Sequence, residues 1–342
     1  MGGDTVNVKT IVRHLVPRSV IHRIRHGRGS LDQVMRLDAE RFDRWMSRPD
    51  STDPVQLDTQ VMFHTHQIEK GLSHGDFRPC FGKQALADLS DGLRRLAEAD
   101  PRHEDRFSWR QAMGALHEYR TRHETLGQDL TYMRRLFPDA VWRCIESGNP
   151  AMGGSTDHPA MEPSRLKAMP FAKLSVRRRS VREYSDEPVS RDAIMRAVAL
   201  SQTTPSVCDR QPTRIHVYDD PTIIEQALDI QRGFNGYRTP PVLVLVSSDI
   251  RAFMTEGECH EAYVDGGMYA MNLLYALEIE GLAACPLNTM FTMSQDRRTR
   301  TLLRLPDNEC FVMYIAVGRP LRTTPICRSR RRAAEQIVSW NQ

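Results

Sequence analysis

The sequence lacks a long apolar run, a paired cysteine spacing and a strong excess of either charge. No stretch of about 18 or more apolar residues occurs, and the N-terminus lacks the continuous apolar segment of a secretory signal. The seven cysteines are scattered without a C-x-x-C motif, which favours reduced thiols in a cytoplasmic protein. The 47 basic and 43 acidic residues leave a formal net charge of +4, so composition does not predict nucleic-acid binding.

Several motifs of common sites are also missing. No internal repeat, G-x-G-x-x-G or Walker sequence occurs, and Gly266 with Gly267 is better explained by close helix packing than by a nucleotide loop. His64 and His66 are two apart, and on a helix they would point about 200° away from each other. They cannot share one ion, so we expect no metal site there.

The 342 residues are enough for two structural units, and the pattern changes between them. Residues 31–146 carry apolar positions three and four apart, which predicts a helical region. Residues 147–164 concentrate Gly, Pro and Ser without periodicity and are predicted to be a linker. In residues 165–342, β-branched runs such as 214–218 and 310–318 alternate with helical stretches, which predicts a mixed α+β sheet domain flanked by helices.

Residues 1–30 form a basic arm, and within it residues 8–28 have an amphipathic helical pattern rich in arginine. Such a pattern is compatible with contact to anionic lipid. Pro17 interrupts it after about two turns, so packing against the same chain or a partner subunit is the favoured interpretation.

Four arginines lie within RRRSVREYS, residues 177–185. In an extended segment, Arg178, Ser180 and Arg182 project to one side, two cations flanking a hydroxyl, as a phosphate clamp requires. A second arginine group, residues 328–332, is placed to close on the same anion. A solvated charge run is the alternative that the cluster alone leaves open.

Four motifs in the second half together resemble the FMN-dependent nitroreductase family. These are RRSVR in 178–182, PSVCDRQP in 205–212, a long helical segment running into GLAACP in 281–286, and VGRP in 317–320. The resemblance covers roughly residues 170–340. In the first half, HQIEKGLS in 66–73 is similar to a segment of longer nitroreductase-like proteins linked with polysaccharide biosynthesis.

The resemblance implies a set of FMN-binding residues. It assigns the phosphate to the cluster and to the C-terminal segment, namely to Arg178, Arg179, Ser180, Arg182 and Arg331. It places Gln231, with Arg232 nearby, at the pyrimidine edge of the flavin, and Pro286, Leu287 and the backbone N–H of Asn288 beside the ring and its N5. It also implies a homodimer with flavin at the interface, in which Pro205, Ser206 and Gln211 contact the partner's cofactor.

The implied activity is an oxidoreductase that passes electrons from NAD(P)H through flavin N5 to an unidentified acceptor. No side-chain acid or base is assigned, because the flavin carries the hydride chemistry. Asp209 stands where the family has Asn, and Gln231 and Thr213 also depart from its pattern. These departures keep an alternative open: a non-catalytic subunit that binds flavin or nucleotide and serves in assembly or regulation linked to polysaccharide biosynthesis.

Overall fold

The computed structural model describes residues 28–340, and the first part of this range is helical. The predicted arm therefore lies outside the described residues, apart from the start of the first helix. The helices before the sheet domain are α1 (Arg28–Trp45), α2 (Pro54–Leu72), α3 (Lys83–Ala99), α4 (Phe107–Thr125), α5 (Thr131–Leu136) and α6 (Asp139–Glu146). The predicted helical N-terminal region is thus confirmed.

Helix α2 is the centre of this helical half. Asp53 caps it by accepting the N–H groups of Val55 and Gln56, and Pro54 occupies its first turn. Leu57, Val61, Ile68 and Leu72 are fully buried on one side of α2, against α3 and α4. The remaining sides of α2 are free to contact the second half of the chain.

The second half is built on a four-stranded sheet in the order β2-β3-β5-β4. Its strands and the helices around them are α7 (Pro163–Lys167), α8 (Phe171–Arg177), α9 (Arg191–Ser201), β2 (Thr213–Tyr218), α10 (Pro221–Gln231), β3 (Val242–Asp249), α11 (Glu261–Ile279), β4 (Ala283–Asn288), α12 (Met293–Leu303) and β5 (Glu309–Gly318). All named strand pairs are antiparallel, and a parallel bridge joins Ser180 to Ala284 at the β4 edge. This confirms the predicted α+β fold with a mixed sheet and flanking helices.

Helix α11 covers one face of the sheet. Gly266 permits the close approach, because a Cβ there would lie 2.5 Å from a Val312 methyl group of β5. Apolar side chains remain exposed on the other side of α11, among them Tyr263, Val264 and Met268. Between residues 28 and 340, none of the helices combines the length and apolarity that crossing a bilayer demands.

The sequence predicts a linker at 147–164, but the structure packs this segment tightly. Strand β1 (Ser155–Pro159) pairs antiparallel with β6 (Thr323–Cys327), near the C-terminus. A Cβ at Gly153 would lie 2.2 Å from the Gln111 carbonyl oxygen of α4. The glycines here allow two backbone segments to pack closely together. A glycine-rich composition is the same for such a packed segment and for a flexible linker, so composition alone does not distinguish them.

Candidate functional site

A cavity of about 700 Å³, here called the arginine cavity, lies between the two halves of the chain. The predicted cluster supplies Arg178, Arg179, Ser180 and Arg182 to its wall. The C-terminal segment supplies Cys327, Arg328, Ser329, Arg330 and Arg331. Helices α2 and α4 supply Met62, His66 and Gln111, and no carboxylate side chain is among the described residues of the wall.

Backbone pairing orients the cluster. The Val181 N–H donates to the Ala284 carbonyl at 3.0 Å, so the segment runs as a short extension at the open edge of β4. The Val181 side chain is buried with Ala283 and Ile326. Alternation along an extended segment then turns Ser180 and Arg182 to the opposite side, which is the cavity.

The guanidinium groups in this wall have unmet hydrogen-bonding capacity. Nε and Nη1 of Arg178 and Nε of Arg182 are buried and have no hydrogen-bond partner among residues 28–340. Burial lowers the pKa of the Arg178 guanidinium, with the nearby Arg331 contributing in the same direction. Buried cationic donors without partners are costly, and an anion with several acceptor oxygens would satisfy them.

The arginines of the C-terminal segment are held by the residues after α6. Arg328 donates through Nη2 to the Ser155 carbonyl at 2.6 Å, and Arg330 donates through Nε to the Ala151 carbonyl at 2.8 Å. Within residues 28–340, Arg331 donates to the carbonyls of Ser329 and Arg330, which belong to its own segment. The packed 147–164 segment therefore positions two cavity arginines, while the donors of Arg331 face the cavity with few constraints.

None of the site residues expected from the sequence lies on α2 or α4, although both helices line the cavity. His66 lines the cavity, with its Nδ1 3.5 Å from Oε2 of Glu69. Glu69 is fully buried, and its Oε1 accepts the Gly154 N–H at 3.1 Å and Gln111 Nε2 at 3.5 Å. HQIEKGLS is the signal that could have indicated this placement, whereas nothing in the sequence distinguishes Met62 or Gln111.

Gln231 and Asn288 lie together at the β4 edge, outside the cavity wall. Gln231 donates through Nε2 to the Asn288 carbonyl at 3.0 Å. In an antiparallel strand, the N–H and C=O of one residue face the same side, and residues two or four apart repeat that direction. Since Ala284 faces away from β5 to meet Val181, Asn288 also presents its backbone N–H on that side. Pro286 is half-buried there, and Leu287 is buried in the core.

The structure does not bring Pro205, Ser206 and Gln211 to the arginine cavity of the same chain. They line a separate small cavity of about 20 Å³, next to Asp265. The Ser206 hydroxyl accepts the Gln211 N–H at 2.9 Å, and the loop turns sharply through left-handed backbone at Gln211 (φ 48°). Their assignment to a partner's cofactor stays a prediction.

His74 follows α2 and stacks on Tyr237, with ring centroids 3.9 Å apart. Burial lowers the pKa of His74 to about 4, assisted by neighbouring cations. The charged groups facing the ring are Arg78, Lys70, Arg182, Asp76 and Glu183. The imidazole is therefore neutral at neutral pH and adds no charge to this region.

We expect the His74→Phe variant to lose less stability in acid than the wild type. Because the folded-state pKa is about 4 and the ordinary value is 6.5, the unfolded chain binds more protons in that window. Stability therefore falls as pH falls from 6.5 to 4, with a slope below the roughly 1.4 kcal/mol per pH unit of one fully linked proton. Urea unfolding at several pH values measures this slope. An equal slope in both proteins would contradict the assignment to His74, since His158, whose pKa is also about 4, is retained in both.

Comparison with known proteins connects this geometry to a family. The sequence model of the nitroreductase family matches residues 176–236 and 232–319. The iodotyrosine deiodinase of Nematostella vectensis is 25% identical over 209 residues, covering 53% of this chain and 78% of that protein. A NADH dehydrogenase of Thermus thermophilus is 24% identical over 206 residues, covering 51% of this chain and 98% of that protein.

Two solved structures are similar to about half of the chain. A putative nitroreductase from Desulfovibrio desulfuricans in complex with FMN is 26% identical, with a TM-score of 0.44, over 51% of this chain and 98% of that one. A putative NADH dehydrogenase/NAD(P)H nitroreductase from Parabacteroides distasonis is 23% identical, with a TM-score of 0.44, over 50% of this chain and 97% of that one.

The family match spans the cluster at 178–182 and the sheet on which it is mounted. It ends before the C-terminal arginines and does not include the helical half, so those parts of the cavity wall are additions to the matched region. The second half of this chain therefore contains a segment, residues 176–319, that matches the nitroreductase family.

Proposed function

We propose that the chain is an FMN-dependent oxidoreductase that takes electrons from NAD(P)H and delivers them to a small-molecule acceptor. The observation that carries the proposal is the arginine cavity. Among the described residues, Nε and Nη1 of Arg178 and Nε of Arg182 are buried there without a partner, and the wall contains no carboxylate. A flavin phosphate supplies the negative charge and the acceptor oxygens that these donors require. The cavity volume of about 700 Å³ leaves room for more than a phosphate group.

In this proposal, the chain's residues bind and orient the cofactor. Arg178, Ser180 and Arg182 hold the phosphate, together with Arg179 and Arg331. The backbone N–H of Asn288 is a fixed donor at the β4 edge, and Gln231 holds that edge through the Asn288 carbonyl. FMN supplies the hydride chemistry when bound.

The proposed working form is a cytoplasmic homodimer. The exposed apolar side of α11 offers a surface that a second copy would cover. A partner would also bring Pro205, Ser206 and Gln211 to a cavity that they do not reach within their own chain. All seven cysteines are free in the structure, which suits a reducing compartment.

The acceptor is not specified by the family. Its members with recognisable similarity to this chain include iodotyrosine deiodinases and a NADH dehydrogenase, whose names indicate different reactions. The acceptor must therefore be sought by screening electron-poor small molecules against the reduced protein.

Visible spectroscopy of the purified protein is the direct test. We expect a bound flavin spectrum that bleaches when NADH or NADPH is added without oxygen and returns when an acceptor is supplied. Flavin that stays oxidised with both donors would favour the non-catalytic binding subunit. A colourless protein that does not take up added FMN would reject both flavin hypotheses.

A further inference from the structure

Helix α2 places a regular row of side chains along the arginine cavity. Met62 and His66 line the cavity, and Lys70 follows at the same spacing of four residues. Side chains four apart on a helix lie on one face, with Cβ atoms about 6 Å apart. Lys70 is therefore one helical turn beyond the cavity wall, on the face that the helical half turns toward the family domain.

Lys70 and Arg182 are two neighbouring cations without a compensating acid. Lys70 Nζ donates to the Gly233 carbonyl at 2.9 Å, and the Lys70 carbonyl accepts from the Tyr237 hydroxyl at 3.0 Å. Burial, followed by the charge of Arg182, lowers the pKa of Lys70. Among residues 28–340, the hydrogen bonds of these two side chains go to the Gly233 carbonyl and to the Cys327 thiol rather than to a carboxylate, and such a pair of cations is expected to attract an anion.

The Lys70 contact leads directly to the β4 edge. The Gly233 N–H donates to Gln231 Oε1 at 2.6 Å, and Gln231 Nε2 donates to the Asn288 carbonyl. Lys70 thus lies between the arginine cavity and the backbone donor assigned to the flavin ring. Arg232, the cation expected from the sequence at this place, is instead the exposed left-handed cap of α10.

We propose that Lys70, supplied by the helical half, is the cation that contacts the flavin ring and stabilises its reduced form. This rests on the proposed function. A hydride from NAD(P)H brings two electrons and one proton, leaves NAD(P)⁺, and converts the neutral ring into a monoanion. The ammonium group of Lys70 favours that anion over the neutral oxidised ring, by the same electrostatics that stabilise any developing negative charge at a fixed cation.

The test compares Lys70→Gln and Lys70→Arg with the wild type, and Lys83→Gln serves as the control for loss of an exposed lysine. For each protein, FMN titration gives the affinity for the oxidised cofactor, and equilibration with a reference dye gives the reduction potential of bound FMN. We expect Lys70→Gln to bind reduced FMN about tenfold more weakly relative to oxidised FMN. That ratio corresponds to a two-electron potential lower by about 30 mV. Lys70→Arg and Lys83→Gln should stay near the wild-type potential.

The possible results separate the two proposals. An unchanged potential in Lys70→Gln, with FMN bound, overturns the role of Lys70 and leaves the flavoprotein proposal intact. Equal weakening of both redox states also overturns it, because Lys70 would then act on the phosphate or on folding. A wild-type protein that does not bind FMN rejects the proposed function itself, and the Lys70 role falls with it. If Lys70→Gln does not fold, Lys70→Arg is the remaining test, because it keeps the positive charge. A Lys70→Arg protein that binds FMN with wild-type affinity but has a reduction potential shifted by about 30 mV would contradict the proposal that the charge at position 70 sets this potential.

Discussion

Replacing Arg178 or Arg182 with alanine is expected to weaken FMN binding by about 1.5 to 3 kcal/mol, or about 10- to 150-fold in affinity. The physical reason is that Nε and Nη1 of Arg178 and Nε of Arg182 have no partner within the described protein. These three nitrogens are therefore available to the ligand, whereas Nη1 of Arg182 already donates to Cys327 Sγ at 3.4 Å, and each variant loses the charged contacts to the ligand. Fluorescence titration of the apoprotein with FMN measures the change.

The stability of the FMN-free protein provides a second test of this assignment. Because three of their nitrogens are buried without a partner and neither guanidinium group is paired with a carboxylate in the part of the chain that the structure describes, their removal should not lower the free energy of unfolding. Arg191→Ala is the matched control, since Arg191 is exposed and pairs only with Asp219 at the surface. Wild-type FMN affinity in both cavity variants would remove the phosphate assignment. A large loss of stability would show instead that the arginines hold the fold together.

Gly153→Ala is expected to lower the free energy of unfolding by about 3 kcal/mol and to weaken FMN binding as well. A Cβ at this position would lie 2.2 Å from the Gln111 carbonyl oxygen and 2.8 Å from the Ala115 N, so backbone on one side must move. Arg328 donates through Nε to the Gly153 carbonyl at 3.2 Å, and its neighbour Arg330 is held by Ala151. Displacing this segment therefore displaces two arginines of the cavity.

Urea unfolding of the apoprotein and FMN titration measure the two effects separately. Gly257→Ala is the control, because the nearest atom to an added Cβ there is a Thr255 hydroxyl at 4.0 Å and the backbone is not left-handed. It should change neither quantity by more than about 0.5 kcal/mol. If Gly153→Ala behaves like Gly257→Ala, the backbone of residues 147–164 accommodates the added Cβ without cost, and the segment is the linker that its composition indicates.

The sequence was sufficient for features that depend on local geometry. Alternation along 178–182 predicts that Ser180 and Arg182 share a side, because every second side chain of an extended segment does so. The structure places both in one cavity with Arg178, Arg179 and Arg331. The helical first half follows from its apolar spacing in the same way.

Features that depend on contacts distant in the chain could not be predicted. Glu69 is buried because Gly154 and Gln111 surround its carboxylate, and neither is near it in sequence. The β1–β6 pairing joins residues about 170 apart, and β1 is only five residues long. Such a short polar strand carries little pattern, so only the partner strand identifies it.

Because β6 pairs with β1, the structure of the second half depends on the segment that contains β1, which precedes the family match in the chain. A fragment cut to the borders of the family match, residues 176–319, would lack both β1 and β6, and with them the C-terminal arginines of the cavity wall. The arginine cavity is therefore not an autonomous module that can be transplanted. Its wall includes residues of the helical half, so a chimaera or truncation that keeps the cavity must keep both halves together.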